Sequence, residues 1–237
     1  MSFLILVRHG QSIWNLEKKF TGWVDIDLTE QGKTEAQIAG TLIKEKNVKI
    51  NYFYSSFQLR ANHTLEIILK ILKIENSYTK AWQLNERHYG NLTGLNKIEM
   101  SKKIGEEEVY KFRRSWDVKP KPLNIESPYH PRNINTYKDI PKEIIPDTES
   151  LKDTYRRVIK YFKEEIQNKL IEENVLISAH GNSIRALCKY LFELDNDEIS
   201  KLEIPTGNPL VIELDKKLKI KNCNYLDKKR SKDLLVF

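Results

Sequence analysis

Two histidines in the sequence follow apolar runs and precede glycines. Residues 3–7 lead into Arg8-His9-Gly10, and residues 175–177 lead into Ser178-Ala179-His180-Gly181. Ligands of open α/β sheets bind beyond the carboxyl ends of the strands, so both imidazoles share one crevice if these strands are neighbours. One neutral ring nitrogen can then attack phosphorus, while the other ring, if protonated, donates to phosphoryl oxygens. The pattern predicts phosphoryl transfer with His9 as the nucleophile.

Cationic side chains and one carboxylate stand where such chemistry needs them. Arg8 flanks the first histidine, Arg60 opens a predicted helix after a strand, and Arg113 and Arg114 are adjacent. The arginine fork matches phosphate oxygens and keeps its proton. Glu86, in a polar segment that ends at Gly90, is the candidate that passes a proton to and from a substrate hydroxyl.

Each of these residues by itself also fits an ordinary structural role. A histidine at the end of a single strand is more often a structural hydrogen bonder, and an isolated arginine or loop glutamate usually faces solvent. The two matching strand-His-Gly junctions, together with the arginines, favour a functional site.

The elements that would position these residues alternate between strands and helices. Strands are predicted at 3–7, 52–54, 175–177 and 209–212, and helices from Thr29 and over 59–72, 150–170 and 182–191. This order predicts an α/β fold, a three-layer α/β/α sandwich with a largely parallel central sheet. We expect one domain over residues 1–237, with a long surface excursion at about 119–146 and a C-terminal tail at about 222–237.

Composition excludes several classes of protein. The 237 residues carry a formal net charge of +7, which favours anionic partners. The lysines mostly alternate with glutamates, and no nucleic-acid-binding motif is present, so a nucleic-acid partner is not expected. The two cysteines suggest neither a zinc site nor a disulfide framework. The N-terminal apolar run is too short for a membrane span and lacks signal-peptide features, so we expect a cytoplasmic protein without membrane association.

Several longer motifs carry a family resemblance. They include Leu6-Val7-Arg8-His9-Gly10-Gln11-Ser12, Asn85-Glu86-Arg87-His88-Tyr89-Gly90, Arg113-Arg114-Ser115-Trp116 and Ala179-His180-Gly181-Asn182. With these motifs the chain resembles, nearly end to end, the cofactor-dependent phosphoglycerate mutases of the histidine phosphatase superfamily. Arg-His-Gly alone marks only the superfamily, whereas the Glu86 block and the arginine pair are more specific to the mutases.

The resemblance implies a role for each matching residue. His9 would be the phosphorylated nucleophile and Glu86 the general acid and base, while His180 would stabilise the transferring group beside Arg8 and Arg60. The implied substrate-binding residues are Arg8, Gln11, Ser12, Asn15, Thr21, Gly22, Arg60, Glu86, Arg87, Tyr89, Lys97, Arg113, Arg114, Gly181 and Asn182.

The resemblance also implies a reaction and its requirements. The enzyme would interconvert 3-phosphoglycerate and 2-phosphoglycerate, primed by 2,3-bisphosphoglycerate and without a metal. By analogy it would be a homodimer or homotetramer. The alternative is a phosphatase of the same superfamily, in which water hydrolyses the phosphohistidine.

Overall fold

A six-stranded sheet forms the centre of the molecule. The computed structural model describes residues 1–75 and 77–231, so residues 232–237 of the predicted tail lie outside the described residues. The strand order is β3-β2-β4-β1-β5-β6. The strands are β1 (Ser2–Arg8), β2 (Tyr52–Ser55), β3 (Thr79–Lys80), β4 (Val175–Ala179), β5 (Leu210–Leu214) and β6 (Ile220–Tyr225). Four neighbouring strands, β3, β2, β4 and β1, are parallel, and β5 pairs antiparallel with both β1 and β6.

Alternate side chains of β1 face opposite sides of the sheet. Leu4 and Leu6 belong to one apolar cluster and Ile5 and Val7 to another, and all four are buried. A strand whose successive side chains point to opposite faces must be apolar throughout when helices cover both faces. The uninterrupted apolar run at 3–7 is therefore the mark of a central strand.

Helices cover both faces of this sheet. The α-helices are α1 (Ile13–Leu16), α2 (Glu30–Glu45), α3 (Leu59–Leu72), α4 (Lys97–Ile104), α5 (Glu106–Arg114), α6 (Leu151–Tyr161), α7 (Gly181–Leu191) and α8 (Asn196–Lys201). Helices α2 and α3 pack on the Ile5 side, and α6 and α7 pack on the Leu4 side. The three-layer α/β/α architecture and the largely parallel sheet are confirmed.

The predicted helix over 150–170 is helical throughout, but its second half is not α-helical. Helix α6 gives way to a π-helical turn at Phe162–Ile166 and a 3₁₀ segment at Gln167–Ile171. Near the end of this segment, the Ser2 hydroxyl donates to the carbonyl of Leu170 at 2.5 Å. The Leu170 carbonyl is therefore bonded to a residue of β1, a tertiary contact that the helical periodicity of the sequence does not reveal.

The excursion at 119–146 is packed more closely than the sequence predicts. It contains three short 3₁₀ turns, Pro131–Asn133, Asn135–Tyr137 and Lys142–Ile144. Tyr137 is buried against Trp23, with ring centroids 5.1 Å apart, and donates its hydroxyl to the Trp23 carbonyl at 2.5 Å. The segment therefore covers the loop that enters the functional site.

The start of the predicted tail is also different. Residues 222–225 belong to strand β6, in which Cys223 and Tyr225 are buried beside β5. The interior of this edge strand is rich in lysine and asparagine, so its apolar pattern is weak. Among the described residues, every helix is too short or too polar to span a lipid bilayer.

Candidate active site

Strands β1 and β4 bring the two sequence-predicted histidines together. The main-chain amide of His9 donates to the carbonyl of Ala179 at 2.9 Å, which continues the parallel pairing of these strands. The ring centroids of His9 and His180 are 5.0 Å apart, and both residues are buried. Neighbouring parallel strands thus place both imidazoles at one edge of the sheet.

The hydrogen bond of His9 assigns its tautomer. Nδ1 lies 2.7 Å from the Gly10 carbonyl oxygen, which can only accept, so Nδ1 carries the proton and Nε2 keeps its lone pair. Burial, followed by the charges of Arg60 and Arg8, lowers the pKa of His9 well below its ordinary value. His9 is therefore neutral near pH 7, the state required of a nucleophile.

His180 lies behind His9 and contacts the end of strand β2. Its Nε2 is 2.7 Å from the Ser56 hydroxyl, which also accepts from the Gln58 amide at 3.1 Å. Burial, then Arg60 and His9, lowers the pKa of His180 well below its usual range. The predicted donation to phosphoryl oxygens needs a protonated His180, whereas in the structure burial and the charge of Arg60 favour the neutral ring. An arriving phosphoryl anion would favour protonation.

Arg8 and Arg60 are buried beside the histidines but are held differently. Arg60 donates to the carbonyls of Val24 (2.9 Å) and Gly22 (3.0 Å). Arg8 donates through Nη1 to the Ile204 carbonyl at 2.7 Å, and its buried Nε has no partner in the described part of the chain. Arg8 thus keeps a donor for an anion, whereas Arg60 orders the loop that contains Gly22 and adds positive charge.

Glu86 is far from both histidines in the sequence, but it lines the same cavity as His9 and contacts helix α7. Its Oε1 accepts from the main-chain amides of Arg87 (2.7 Å) and Asn182 (3.2 Å). Asn182 in turn donates from its side chain to the Tyr89 hydroxyl at 3.1 Å. Within the described residues these bonds use Oε1, which leaves Oε2 for a ligand.

A cavity of about 580 Å³ is lined by Arg8, His9, Arg60 and Glu86, whereas His180 is fully buried and lies outside this lining. Most of the sequence-predicted residues line it, and they are Arg8, His9, Asn15, Thr21, Gly22, Arg60, Glu86, Tyr89, Lys97, Arg113, Arg114, Gly181 and Asn182. Lys97 donates to the Lys19 carbonyl at 2.6 Å. Burial, reinforced by Arg113 and Arg8, lowers the pKa of Lys97 to about 8. The cavity is small, polar and dominated by cations.

Three predicted substrate-binding residues lie away from this cavity lining. Ser12 caps α1, where it exchanges hydrogen bonds with Asn15, so its hydroxyl has a structural partner. Gln11 accepts from the Thr29 hydroxyl at 3.0 Å and lines an adjoining cleft. Arg87 is fully buried with its guanidinium 4.5 Å from the Tyr89 ring centroid, so it supports the wall of the cavity.

The sequence reasoning did not select several other residues of the lining. They are Glu35, Arg185, Glu203, Ile204, Pro205, Thr206 and Arg230. Arg185 donates to the Asn182 side chain at 2.9 Å. Its position one helical turn after Asn182 is a signal that could have found it. Glu35 accepts from the Gln11 amide at 2.9 Å across the junction of two elements, and no local pattern marks it.

Comparisons with known proteins identify the family of this site. The model of the histidine phosphatase superfamily (branch 1) matches residues 4–133 and 128–223. A protein of Pelagibacter ubique is 67% identical over the full length of both chains. A protein of Hydrogenobaculum sp. is 49% identical over 95% of this chain and 92% of its own. Both relatives are named 2,3-bisphosphoglycerate-dependent phosphoglycerate mutase. The chain belongs to this family. It is therefore an enzyme, and the predicted resemblance is confirmed.

More distant structures share the fold of this mutase family member. A mycobacterial glucosyl-3-phosphoglycerate phosphatase has a TM-score of 0.67 at 20% identity, covering 90% of this chain and 93% of its own. Bacillus stearothermophilus YhfR has a TM-score of 0.67 at 22% identity, covering 93% of this chain and 94% of its own.

Across the described residues, no cluster of three or more His, Cys, Asp or Glu side chains is arranged to hold a metal ion.

Proposed function

We propose that this enzyme interconverts 3-phosphoglycerate and 2-phosphoglycerate, with His9 as the residue that carries the phosphoryl group. Membership of the phosphoglycerate mutase family supports the reaction. The observation that supports the residue assignment is the pairing of His9 and His180, whose ring centroids are 5.0 Å apart, with His9 and Glu86 lining one cavity. We expect this role in glycolysis and in its reversal.

The chemistry is a pair of phosphoryl transfers. Phosphorylated His9 loses its N–P bond as the substrate hydroxyl oxygen forms an O–P bond, and Glu86 takes the hydroxyl proton. The resulting 2,3-bisphosphoglycerate turns within the cavity. Nε2 of His9 then attacks the other phosphorus, and Glu86 returns the proton to the leaving oxygen. Arg8, Arg60 and His180 stabilise the transferring charge.

The cavity cations select the substrate. Phosphoglycerates carry a carboxylate and a phosphate, and Lys97, Arg113 and Arg114 can hold the end that does not react. Arg114 already pairs with Glu203, so Arg113 is the freer of the two arginines toward a ligand. We assign a primer role to 2,3-bisphosphoglycerate, and the scheme uses no metal because these cations supply the charge stabilisation.

Assembly and location complete the proposal. We expect a homodimer or homotetramer that works in the cytoplasm on small anionic phosphoglycerates and has no nucleic-acid partner. The size of the assembly is measurable by light scattering on the purified protein.

The alternative is a phosphatase of the same superfamily. Turnover of 3-phosphoglycerate, measured with and without trace 2,3-bisphosphoglycerate, separates the two activities. A mutase produces 2-phosphoglycerate and depends on the trace primer. Release of inorganic phosphate without 2-phosphoglycerate would contradict the proposed function.

The nucleophile is tested by labelling. We expect His9→Ala to abolish the transfer of ³²P from labelled 2,3-bisphosphoglycerate to the protein, which in the wild type forms an acid-labile phosphohistidine. His63→Ala is the matched control, because His63 is partly exposed and bonds to Asp27 at 2.6 Å outside the cavity lining. Labelling that persists in His9→Ala would mean that another residue carries the phosphoryl group.

A further inference from the structure

A single arginine of helix α6 holds the main chain on which Glu86 stands. Nη1 of Arg157 donates to the carbonyls of Gln83 (2.7 Å) and Asn85 (3.0 Å), and Nη2 donates to the carbonyl of Glu86 (3.0 Å). The three carbonyls lie more than 70 residues from Arg157 in the sequence. The planar guanidinium fork presents five donors in fixed directions, which suits it to hold three such acceptors at once.

Glu149 completes the contact at the other end of the same segment. It binds Arg157 through both carboxylate oxygens, with Nε–Oε1 at 2.7 Å and Nη2–Oε2 at 2.9 Å. Its Oε2 accepts from the His88 amide at 2.9 Å, and its own amide donates to the His88 carbonyl at 3.0 Å. The Arg157–Glu149 pair therefore holds the main chain on both sides of Glu86.

Gln58 is a second side chain that bonds to the main chain of Glu86. Its Oε1 accepts from the Glu86 amide at 2.9 Å, and its Nε2 donates to the Gly22 carbonyl at 2.8 Å. The Arg157 guanidinium also lies 5.6 Å from the ring centroid of Trp23, the residue after Gly22. Both main-chain polar groups of Glu86 are thus bonded, and the contacts extend to the loop that lines the cavity.

Stability alone is a weak reason for this arrangement. The side chains of Arg157 and Glu149 are 9% and 4% exposed. Removing such charges from water costs about as much as their attraction returns, and well-packed apolar residues often do as well. An ion pair that also holds four main-chain groups of one segment contributes geometry instead.

We propose that Arg157 and Glu149 are positioning residues that set where the Glu86 carboxylate stands in the cavity. This inference rests on the proposed role of Glu86 as the general acid and base. Displacement of a reacting group by about 1 Å can cost about 100-fold in rate, and loss of residues that orient the ligands of a metal site typically costs about 10- to 100-fold.

The test compares Arg157→Lys with Arg156→Lys in the full-length enzyme. Lysine keeps the charge at position 157 but cannot hold three carbonyls and a carboxylate. Arg156 is the matched control, because its side chain is 68% exposed and its bond to Asp153 is long, at 3.5 Å.

Glu149→Gln is the second variant, which keeps the shape of the side chain and removes its charge. We expect Arg157→Lys and Glu149→Gln to lower kcat by about 10- to 100-fold with KM changed less than about threefold. We expect Arg156→Lys to match the wild type.

A double-mutant cycle separates positioning from a general effect on folding. In a Glu86→Gln background, we expect Arg157→Lys to lower kcat further by less than about threefold, since the group that it positions is already gone. An equal loss in both backgrounds, or a wild-type kcat for both Arg157→Lys and Glu149→Gln, overturns the positioning role.

The two proposals fail in different ways. If Glu86→Gln turns over at the wild-type rate, the role of Glu86 is wrong and the positioning role falls with it. If Glu86→Gln is slow while the Arg157 and Glu149 variants are normal, the proposed function stands and only the positioning role is overturned.

Discussion

At the residue scale, burial and nearby positive charge set the protonation states of the groups in and beside the cavity. His9 and His180 are neutral because burial and nearby guanidinium groups oppose a further positive charge. Lys97 has its pKa lowered to about 8 for the same reason. A bound polyanion reverses this balance, since it supplies the negative charge that these groups lack. Substrate binding and proton uptake should therefore be coupled in this enzyme.

Lys97 should make substrate binding depend on pH between 7 and 9. Below pH 8 its ammonium attracts the substrate, and above pH 8 it loses that charge, so we expect KM for 3-phosphoglycerate to rise about three- to tenfold. Arginine stays charged throughout this range, so Lys97→Arg should show a clearly flatter dependence relative to its own KM at pH 7. Steady-state kinetics at several pH values measure both. An equally steep rise in the two proteins would mean that another group titrates.

At the scale of the elements, the proposed catalytic groups have two kinds of support. His9 and His180 stand at the ends of paired strands β1 and β4, whose register is set by the sheet. Glu86 stands on an irregular segment between two 3₁₀ turns, Trp82–Leu84 and Gly90–Leu92. Such a segment has no hydrogen-bond ladder of its own, so side chains from other elements must hold its main chain.

Gly90 lies against the main chain of the excursion at Lys121, and replacing it should be costly. It has a φ of +53°, and an added Cβ would lie 2.2 Å from the Lys121 carbonyl oxygen. Gly105 has a φ of +93° with nothing within 4 Å of such a Cβ, so it is a matched control. Gly105 has a ψ of 149°, which with its positive φ is a conformation nearly exclusive to glycine, so we expect Gly105→Ala to lower the free energy of unfolding by about 1–3 kcal/mol through backbone strain alone. Gly90→Ala should cost about 1–3 kcal/mol more through overpacking.

Chemical denaturation of both alanine variants measures the difference. Equal losses would show that the backbone at residue 121 moves aside without cost. We also expect Gly90→Ala to lower kcat, because any shift of Gly90 displaces the segment that contains Glu86.

At the scale of the whole molecule, burial of neutral histidines links stability to pH. His9 and His180 have strongly lowered pKa values, and burial, followed by the charge of His130, lowers the pKa of His88 to about 3. Below about pH 6.5 the unfolded chain binds protons at these residues that the folded protein does not bind. The contribution of these histidines to the free energy of unfolding is therefore fully present above pH 6.5 and is lost as the pH falls.

We expect the free energy of unfolding to fall between pH 6.5 and 5.5 by up to about 1.4 kcal/mol per pH unit for each of these histidines. His88→Gln keeps an acceptor for the Gly90 amide, which donates to Nδ1 of His88 at 2.9 Å, and removes one titrating group. The free energy of unfolding of this variant should change less steeply with pH, by the amount that corresponds to about one proton. Denaturant titrations at a series of pH values provide the slopes. Identical slopes in the variant and the wild type would mean that His88 titrates alike in both states.

The sequence by itself determined four of the six strands of the central sheet, which are β1, β2, β4 and β5, and it marked the two candidate catalytic histidines. An apolar run such as residues 3–7 is local, and parallel strands end at the same edge, so His9 and His180 were predicted to meet on the condition that their strands are neighbours. The order of the strands in the sheet then met that condition. The family motifs likewise marked Glu86 and Arg113 as parts of one site.

Only the tertiary structure decided how these groups are held. The contacts of Arg157 with the Glu86 segment join residues more than 70 positions apart, and the bond between Ser56 and His180 joins residues 124 positions apart. Ser12 and Arg87 belong to matching motifs, yet capping and aromatic stacking take them out of the cavity lining. Periodicity and short motifs report what a residue does along its own element, whereas hydrogen bonds between distant segments depend on how the elements pack.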